Sequence, residues 1–217
     1  MQDAGIRMAR YFGAIIENRD YITNQHARRV GMITFVLLNK LRAMFPEYGL
    51  DDNKIKLISS AATLHDAGKL RLPDSIVNKP SRLTDEEYEI YQSHTYKGKK
   101  MFKDVASHLP KGDEDRAFFK YAASICMNHH ERYDGDGYPE KKKGEDIPIG
   151  SQVVGLADAY EDALSDRIHK AAISKLEVYD MIVNGECGSF SPKLIQVFIA
   201  ARAELEELLA REEENLQ

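Results

Sequence analysis

His65 and Asp66 stand side by side in the stretch Leu64-His65-Asp66-Ala67-Gly68-Lys69. An imidazole next to a carboxylate is a pair that binds divalent cations. Ile55, Ile58, Ala62 and His65 follow at steps of three, four and three, so one helical stripe carries the histidine inward with apolar residues. Gly68 stands where a left-handed residue would end that helix. The spacing predicts a helix that runs into the protein and stops with His65 and Asp66 at a buried end. Burying the pair without partners is costly, and a metal ion is the partner that satisfies both. One dipeptide is weak evidence, and the other histidines decide the matter.

The same pattern recurs along the chain. His26 opens the stripe Val30, Ile33, Leu37, Leu41, Met44. His94 shares a face with Tyr91, Gly98 and Met101, and His129 follows Phe118, Ala122 and Ile125. Asp158 sits among Val153, Leu156 and Ala157, on a face with Val154 and Ser165. Ordinary core histidines held by hydrogen bonds would explain one such case. They do not explain five of the seven histidines, with His108 and His169 alone off any stripe. Neighbouring helical residues point about 100° apart, so His129 and His130 reach one centre only near a helix end. The glycine-rich loop that follows them supplies that end.

Five histidines and two aspartates exceed the needs of one tetrahedral ion. Shared by two ions with Asp66 bridging, they give each three or four protein ligands and leave positions for water and substrate. That is the pattern of two-metal hydrolysis at a phosphoryl centre. Nitrogen and oxygen donors suit iron, manganese or zinc. Cys126 reads as a small buried hydrophobe rather than a ligand.

Composition bounds the rest. The chain has 217 residues, 43% hydrophobic and 30% charged, which fits a soluble globular domain with a sizeable core. Its net charge of -5 argues against binding a nucleic-acid polymer or a basic role at a membrane surface. Two cysteines make no disulfide scaffold, and a reducing cytoplasm is the expected compartment. The start lacks the apolar stretch of a signal peptide, and Phe35-Val36-Leu37-Leu38 is far too short to insert in a bilayer.

The elements that position these residues are all helical. Helices are expected over Gly5 to Arg19, over Thr23 to Phe45, and from an Asp51 or Asp52 cap to His65-Asp66. Leu70 to Leu83 reads as an ordered loop. A capping box, Thr84 with Glu87, starts the helix that carries His94. Asp113 caps the next. Further helices follow Pro148, span roughly Ala171 to Val183, and begin at Ser191-Pro192. No segment has a strand's period of two. The expectation is one all-α domain of seven to eight helices.

These motifs resemble the HD-GYP domain, a subclass of the HD-domain metal-dependent phosphohydrolases that hydrolyse cyclic di-GMP. The resemblance runs from about Tyr21 to about Phe198. It rests on His26-Ala27-Arg28-Arg29-Val30, His65-Asp66-Ala67-Gly68-Lys69, Pro73-Asp74, Lys79-Pro80 and Leu83-Thr84-Asp85-Glu86-Glu87. It continues through His94-Thr95-Tyr96-Lys97-Gly98, His129-His130-Glu131, Asp134-Gly135-Asp136-Gly137-Tyr138-Pro139, Ala157-Asp158 and Ser165-Asp166-Arg167. It implies an HD-domain helical bundle with residues 21–217 as the phosphohydrolase domain and residues 1–20 as a helix left from a linker. It implies that His26, His65, Asp66 and Asp158 hold one ion and that Asp66, His94, His129 and His130 hold the other. Iron or manganese come before zinc, nickel or magnesium. By the same likeness Lys69 acts at the scissile phosphate, and Arg167 and Lys170 contact substrate phosphates. The implied reaction converts cyclic di-GMP to linear pGpG and on to GMP. A diguanylate cyclase or a sensor or receiver protein is the implied partner.

The sequence departs from the family in places. Ile22 stands where some members have a glutamate for a third metal, so two ions are expected. His169 replaces the usual aromatic after Arg167, and the Asp162-Ala163-Leu164 triplet falls one residue late after Asp158. Arg167 lies nine residues beyond Asp158, so it reaches the site only if the helix ends near Ser165-Asp166 and the chain turns back. Two other readings stay open: an HD phosphohydrolase for another cyclic dinucleotide or nucleotide, and a non-catalytic cyclic di-GMP receptor or docking module that uses the Gly137-Tyr138-Pro139 loop.

Overall fold

The computed structural model describes residues 25–165 and 174–214. The expected first helix, Ile22, the start of the second helix at Thr23, and Asp166, Arg167, His169, Lys170 and Ala171 lie outside the described residues. Among the described residues every regular element is helical. The first, α1 (His26–Met44), buries Val30, Ile33, Leu37, Leu38 and Leu41 along one stripe. That stripe is the centre of the bundle. It packs against α2 (Asp52–Ala62), α7 (Ile149–Ser165), α9 (Pro192–Ala200) and α10 (Arg202–Glu214). Phe198 closes the far side of this core, edge-on to Tyr160 at 5.0 Å and stacked on Tyr179 at 5.1 Å. Glu212 of α10 accepts two hydrogen bonds from Arg28 and ties the last helix to α1.

The helix starts obey local capping rules. Asp51 accepts from the Lys54 amide, Asp113 from the Asp115 amide and Ser191 from the Leu194 amide. Thr84 and Glu87 form the reciprocal capping box that opens α4 (Asp85–Gln92). A second box, Ser174 with Glu177, opens α8 (Lys175–Val183).

Helix ends are less regular than the periodicity predicts, and three differences matter for the site. First, α2 stops at Ala62, and His65-Asp66 lie in the turns that follow, before a 3-10 segment, Ala67–Arg71. Second, α3 (Asp74–Val77) is a short helix inside the expected loop. Third, the helix from Asp85 breaks at Ser93. Ser93, His94 and Thr95 donate side-chain hydrogen bonds to the carbonyls of Ile90, Tyr91 and Gln92, and so begin a separate α5 (His94–His108). That break makes His94 the first residue of its helix. The last helix also divides at Ala201, into α9 and α10.

Gly68 is not the left-handed stop the sequence suggests; it is absent from the positive-φ glycines. Close approach is what demands it. A Cβ there would lie 1.8 Å from the His94 carbonyl oxygen and 2.6 Å from the Gly98 amide nitrogen. Gly98 in turn leaves room for the buried Cys126, whose thiol donates to the Leu64 carbonyl at 3.2 Å. The 3-10 segment is thereby pressed onto α5, and α5 onto α6 (Glu114–Asn128). Among the described residues no helix is long and apolar enough to cross a membrane.

The obstacle to a side chain at Gly68 is backbone, which cannot rotate away. Gly68→Ala is expected to lower unfolding free energy by at least ~1–3 kcal/mol, the usual cost of overpacking. Chemical denaturation against the unmodified protein measures this.

Candidate metal centre

Helix ends and turns from across the chain meet at one point. His26 comes from the start of α1, His65 and Asp66 from the turns after α2, and His94 from the start of α5. His129 caps the end of α6, His130 follows it, and Asp158 comes from the middle of α7. The structure thus brings together all seven residues that the sequence singles out as ligands. Three overlapping groups of them have donor atoms within 4.8 Å of one another: Asp66, His94, His129 and His130; His26, His65 and Asp66; His65, His129 and Asp158.

The imidazoles are oriented by their outer nitrogens. His65 Nδ1 donates to the Ala62 carbonyl at 2.9 Å, His94 Nδ1 to Tyr91 at 2.7 Å and His129 Nδ1 to Ile125 at 3.0 Å. A carbonyl can only accept, so Nδ1 of each ring is the donor and Nε2 is the atom turned inward. Asp66 sits between two sets of these nitrogens. Its Oδ1 faces His94 Nε2 at 3.3 Å and His129 Nε2 at 3.7 Å. Its Oδ2 faces His65 Nε2 at 3.4 Å and Lys69 Nζ at 2.7 Å. Asp158 Oδ1 lies 3.2 Å from His26 Nε2 and 3.3 Å from His65 Nε2.

This donor set fits divalent cations. Asp66 Oδ1, His94 Nε2 and His129 Nε2 are buried and have no hydrogen-bond partner. Buried polar atoms seldom go unsatisfied, and three at one point, all lone-pair donors, call for a positive centre.

Charge divides the cluster in two. Burial alone would lower His65, but the carboxylates of Asp66 and Asp158 outweigh it and raise its pKa to about 10. The same contest, with Asp158 and Glu161, raises His26. At the other end burial takes His94 down to about 4, and burial with the neighbouring His129 takes His130 well below the usual range. Asp66 lies at the junction. Burial would raise its carboxyl, yet Lys69 and His65 hold it well below the usual carboxylate range.

Three residues of this constellation carry no assignment from the sequence. Glu161 is buried and accepts from His26 Nδ1 and from Arg29 Nε, the latter at 2.7 Å. It therefore orients His26 as carbonyls orient the other rings. Asp158 and Glu161 stand three apart on α7, a same-face spacing that is visible in the sequence; the distant partner is not. Asp162, one residue later, is 64% exposed, with Oδ1 3.5 Å from His26 Nδ1. The late triplet thus leaves α7 continuous to Ser165 and puts Glu161 on the buried face. The third residue is Glu131. Its buried carboxylate accepts from the amides of Glu140 at 2.8 Å and Lys142 at 3.0 Å, which shapes the glycine-rich loop.

That loop closes on the centre. The Tyr138 amide donates to the His130 carbonyl at 3.1 Å, and the Tyr138 ring stacks on His130 at 4.6 Å. A Cβ on Gly137 would lie 2.3 Å from the Arg132 amide nitrogen. Tyr88 and Tyr91 of α4 continue an aromatic wall, with Tyr88 edge-on to Tyr138 at 6.3 Å. Lys69 Nζ lies 5.5 Å from the centre of the Tyr91 ring. The Cys126 thiol is pushed up by burial and stays in the core as a small hydrophobe. His108 is exposed.

A helical bundle whose ends converge on histidines and a central His-Asp pair defines a class. Residues 10–192 match the HD domain, and the chain belongs to that family. Its relatives include a cyclic di-GMP phosphodiesterase of Vibrio cholerae, 35% identical over 86% of this chain and 37% of the relative. A cyclic di-GMP phosphodiesterase of Thermotoga maritima is 31% identical over 92% of this chain and 50% of the relative. A 3'3'-cGAMP-specific phosphodiesterase 2 of Vibrio cholerae is 30% identical over 88% and 35%. The chain thus spans half or less of the length of these relatives. Among solved structures, Bd1817, an HDG"Y"P protein from Bdellovibrio bacteriovorus, shares the fold with a TM-score of 0.54 at 19% identity, over 80% of this chain and 50% of that one.

If Glu161 orients His26, Glu161→Gln should weaken metal binding by roughly 10–100-fold, the usual effect of losing a ligand's outer partner. Helical content should be unchanged. Asp162→Asn, on the exposed carboxylate, should cost less. Metal titration of both variants, followed by circular dichroism, separates the two roles.

Proposed function

We propose that the chain is a metal-dependent phosphodiesterase that opens cyclic di-GMP to linear pGpG and cuts that product on to GMP. The observation that carries this reading is the Asp66 carboxylate, whose two oxygens face two separate sets of inward donors. His26, His65, Asp66 and Asp158 would hold one divalent ion, and Asp66, His94, His129 and His130 the other. Iron or manganese is the first choice for this nitrogen and oxygen set. Ions there would supply Lewis-acid charge to a phosphodiester and lower the pKa of water.

The residues of the chain do the rest. Water adds to phosphorus, the bond to the ribose 3'-oxygen breaks, and that oxygen takes up a proton. Lys69, anchored on Asp66 beside the cluster, stabilises the charge that grows there or delivers the proton. Tyr88 and Tyr91 beside Tyr138 offer ring faces against which a purine stacks. In an acidic protein, Arg167 and Lys170 are assigned to the substrate phosphates by their place in the motif. A sensor, receiver or diguanylate cyclase protein is the expected partner.

One observation favours a second substrate. A relative of nearly equal similarity carries the name of a 3'3'-cGAMP phosphodiesterase. Both substrates share the phosphodiester ring and differ in one base, so the metal cluster does not choose between them. The aromatic wall and the residues around it do.

The test is turnover of cyclic di-GMP and 3'3'-cGAMP by metal-loaded protein under reducing, anaerobic conditions. Metal analysis should approach two ions per chain, and Asp66→Ala should lose both metal and turnover. Lys69→Ala should keep its metal and lose ~10²–10³ in kcat. A Lys69→Ala enzyme as fast as the parent would refute its assigned role. Arg167→Ala should raise KM with kcat little changed, as loss of uniform binding does.

A further inference from the structure

A second concave site lies on the flank of the α5–α6 pair. Lys99 and Lys103 stand four apart on α5, and Arg116 and Lys120 four apart on α6. That spacing puts each pair on one helical face. Packing of the two helices sets the pairs across a groove of about 470 Å³, and Lys142 enters it from the loop after Pro139. None of the seven metal ligands lines this groove, and among the described residues no carboxylate does.

Within the described structure Lys142 alone of these cations has a carboxylate partner. Lys142 is shared between Glu140 at 2.8 Å and Asn128 at 2.7 Å. Arg116 donates to the Leu109 carbonyl at 3.1 Å, while its buried Nε has no hydrogen-bond partner. Lys99, Lys103 and Lys120 make no ion pair among the described residues; Lys99 acts only at longer range on Glu140. Elsewhere Lys40 pairs with Glu204 and Lys193 with Glu47. Like charges four apart on a helix repel, and a second row across the groove adds to that repulsion. An anion bound between the rows relieves that repulsion.

The shape sets the size of that anion. The volume is that of a small-molecule site. A neighbouring hollow of about 490 Å³ shares Lys120, Ser124 and Pro148 and is lined by Tyr48 and Tyr121. We propose that the groove binds a small ligand carrying a linear polyphosphate, with its phosphates between the α5 and α6 cations. The nucleoside and inorganic forms share this chemistry. The net charge of -5 disfavours an extended nucleic-acid track over the same surface.

The experiment is calorimetric titration of the full, metal-loaded chain with sodium tripolyphosphate, with GTP and with a short single-stranded oligonucleotide. The parent should bind a polyphosphate, with affinity that falls as salt rises. Lys103→Glu with Lys120→Glu should weaken that binding by about tenfold or more. Metal content and any cyclic-dinucleotide turnover should be unchanged, which separates this site from the phosphodiesterase reading. Lys103→Gln with Lys120→Gln should show a smaller loss in the same direction and guards against misfolding of the charge-reversed form. GTP tighter than tripolyphosphate supports the nucleoside form, with Tyr121 taking the ring; equal affinities support the inorganic one. Absence of polyphosphate binding by the parent, equal binding by both variants, or preference for the oligonucleotide would overturn the proposal.

Discussion

The structure depends on one constraint: several imidazoles must turn one ring nitrogen, Nε2, toward a buried point. An imidazole does so when its other nitrogen is held. Here helix-end carbonyls hold His65, His94 and His129, and the Glu161 carboxylate holds His26. Carbonyls are available for this purpose at helix ends, where the internal hydrogen-bond ladder runs out. The helices must therefore terminate where the metals would sit. The early stop of α2, the break at Ser93 and the cap at His129 are three versions of that termination.

Bringing helix ends together demands close backbone approach, and small residues permit it. Gly68 against the His94 carbonyl, Gly98 against Cys126 and Gly155 against the His129 carbonyl are the contact points. A side chain at Gly68 or Gly155 would force ligand-bearing segments away from each other. The glycine-rich loop is held from the outside by Glu131 and presses Tyr138 onto His130. The ring wall beside the cluster is thus a consequence of how the second histidine pair is clamped.

The chain also separates its charges. Carboxylates concentrate on the His26 and His65 side of the cluster, where Asp158 and Glu161 lie. Lys99, Lys103, Arg116 and Lys120 gather on the α5–α6 flank, in a groove that none of the seven ligands lines. In an acidic chain such a concentration is local design by helical spacing rather than a general excess of lysine.

Much was legible in the sequence because it is encoded locally. Steps of three and four put His26, His65, His94, His129 and Asp158 on inward faces, and capping residues such as Thr84 and Ser191 fixed helix starts within a turn. Those are short-range rules that need no knowledge of the fold. Tertiary structure decided what depends on partners far away in the chain. Glu161 meets His26 across 135 residues, and Cys126 meets Leu64 across 62, with no local signal naming either partner. A turn rule takes Gly68 for a helix stop, because a glycine looks the same to a turn rule and to a packing contact. Only the position of α5 showed that the His94 carbonyl leaves no room for a Cβ. The groove of lysines follows the same logic: each pair is a helical repeat in the sequence, but the packing of α5 on α6 puts the two pairs face to face.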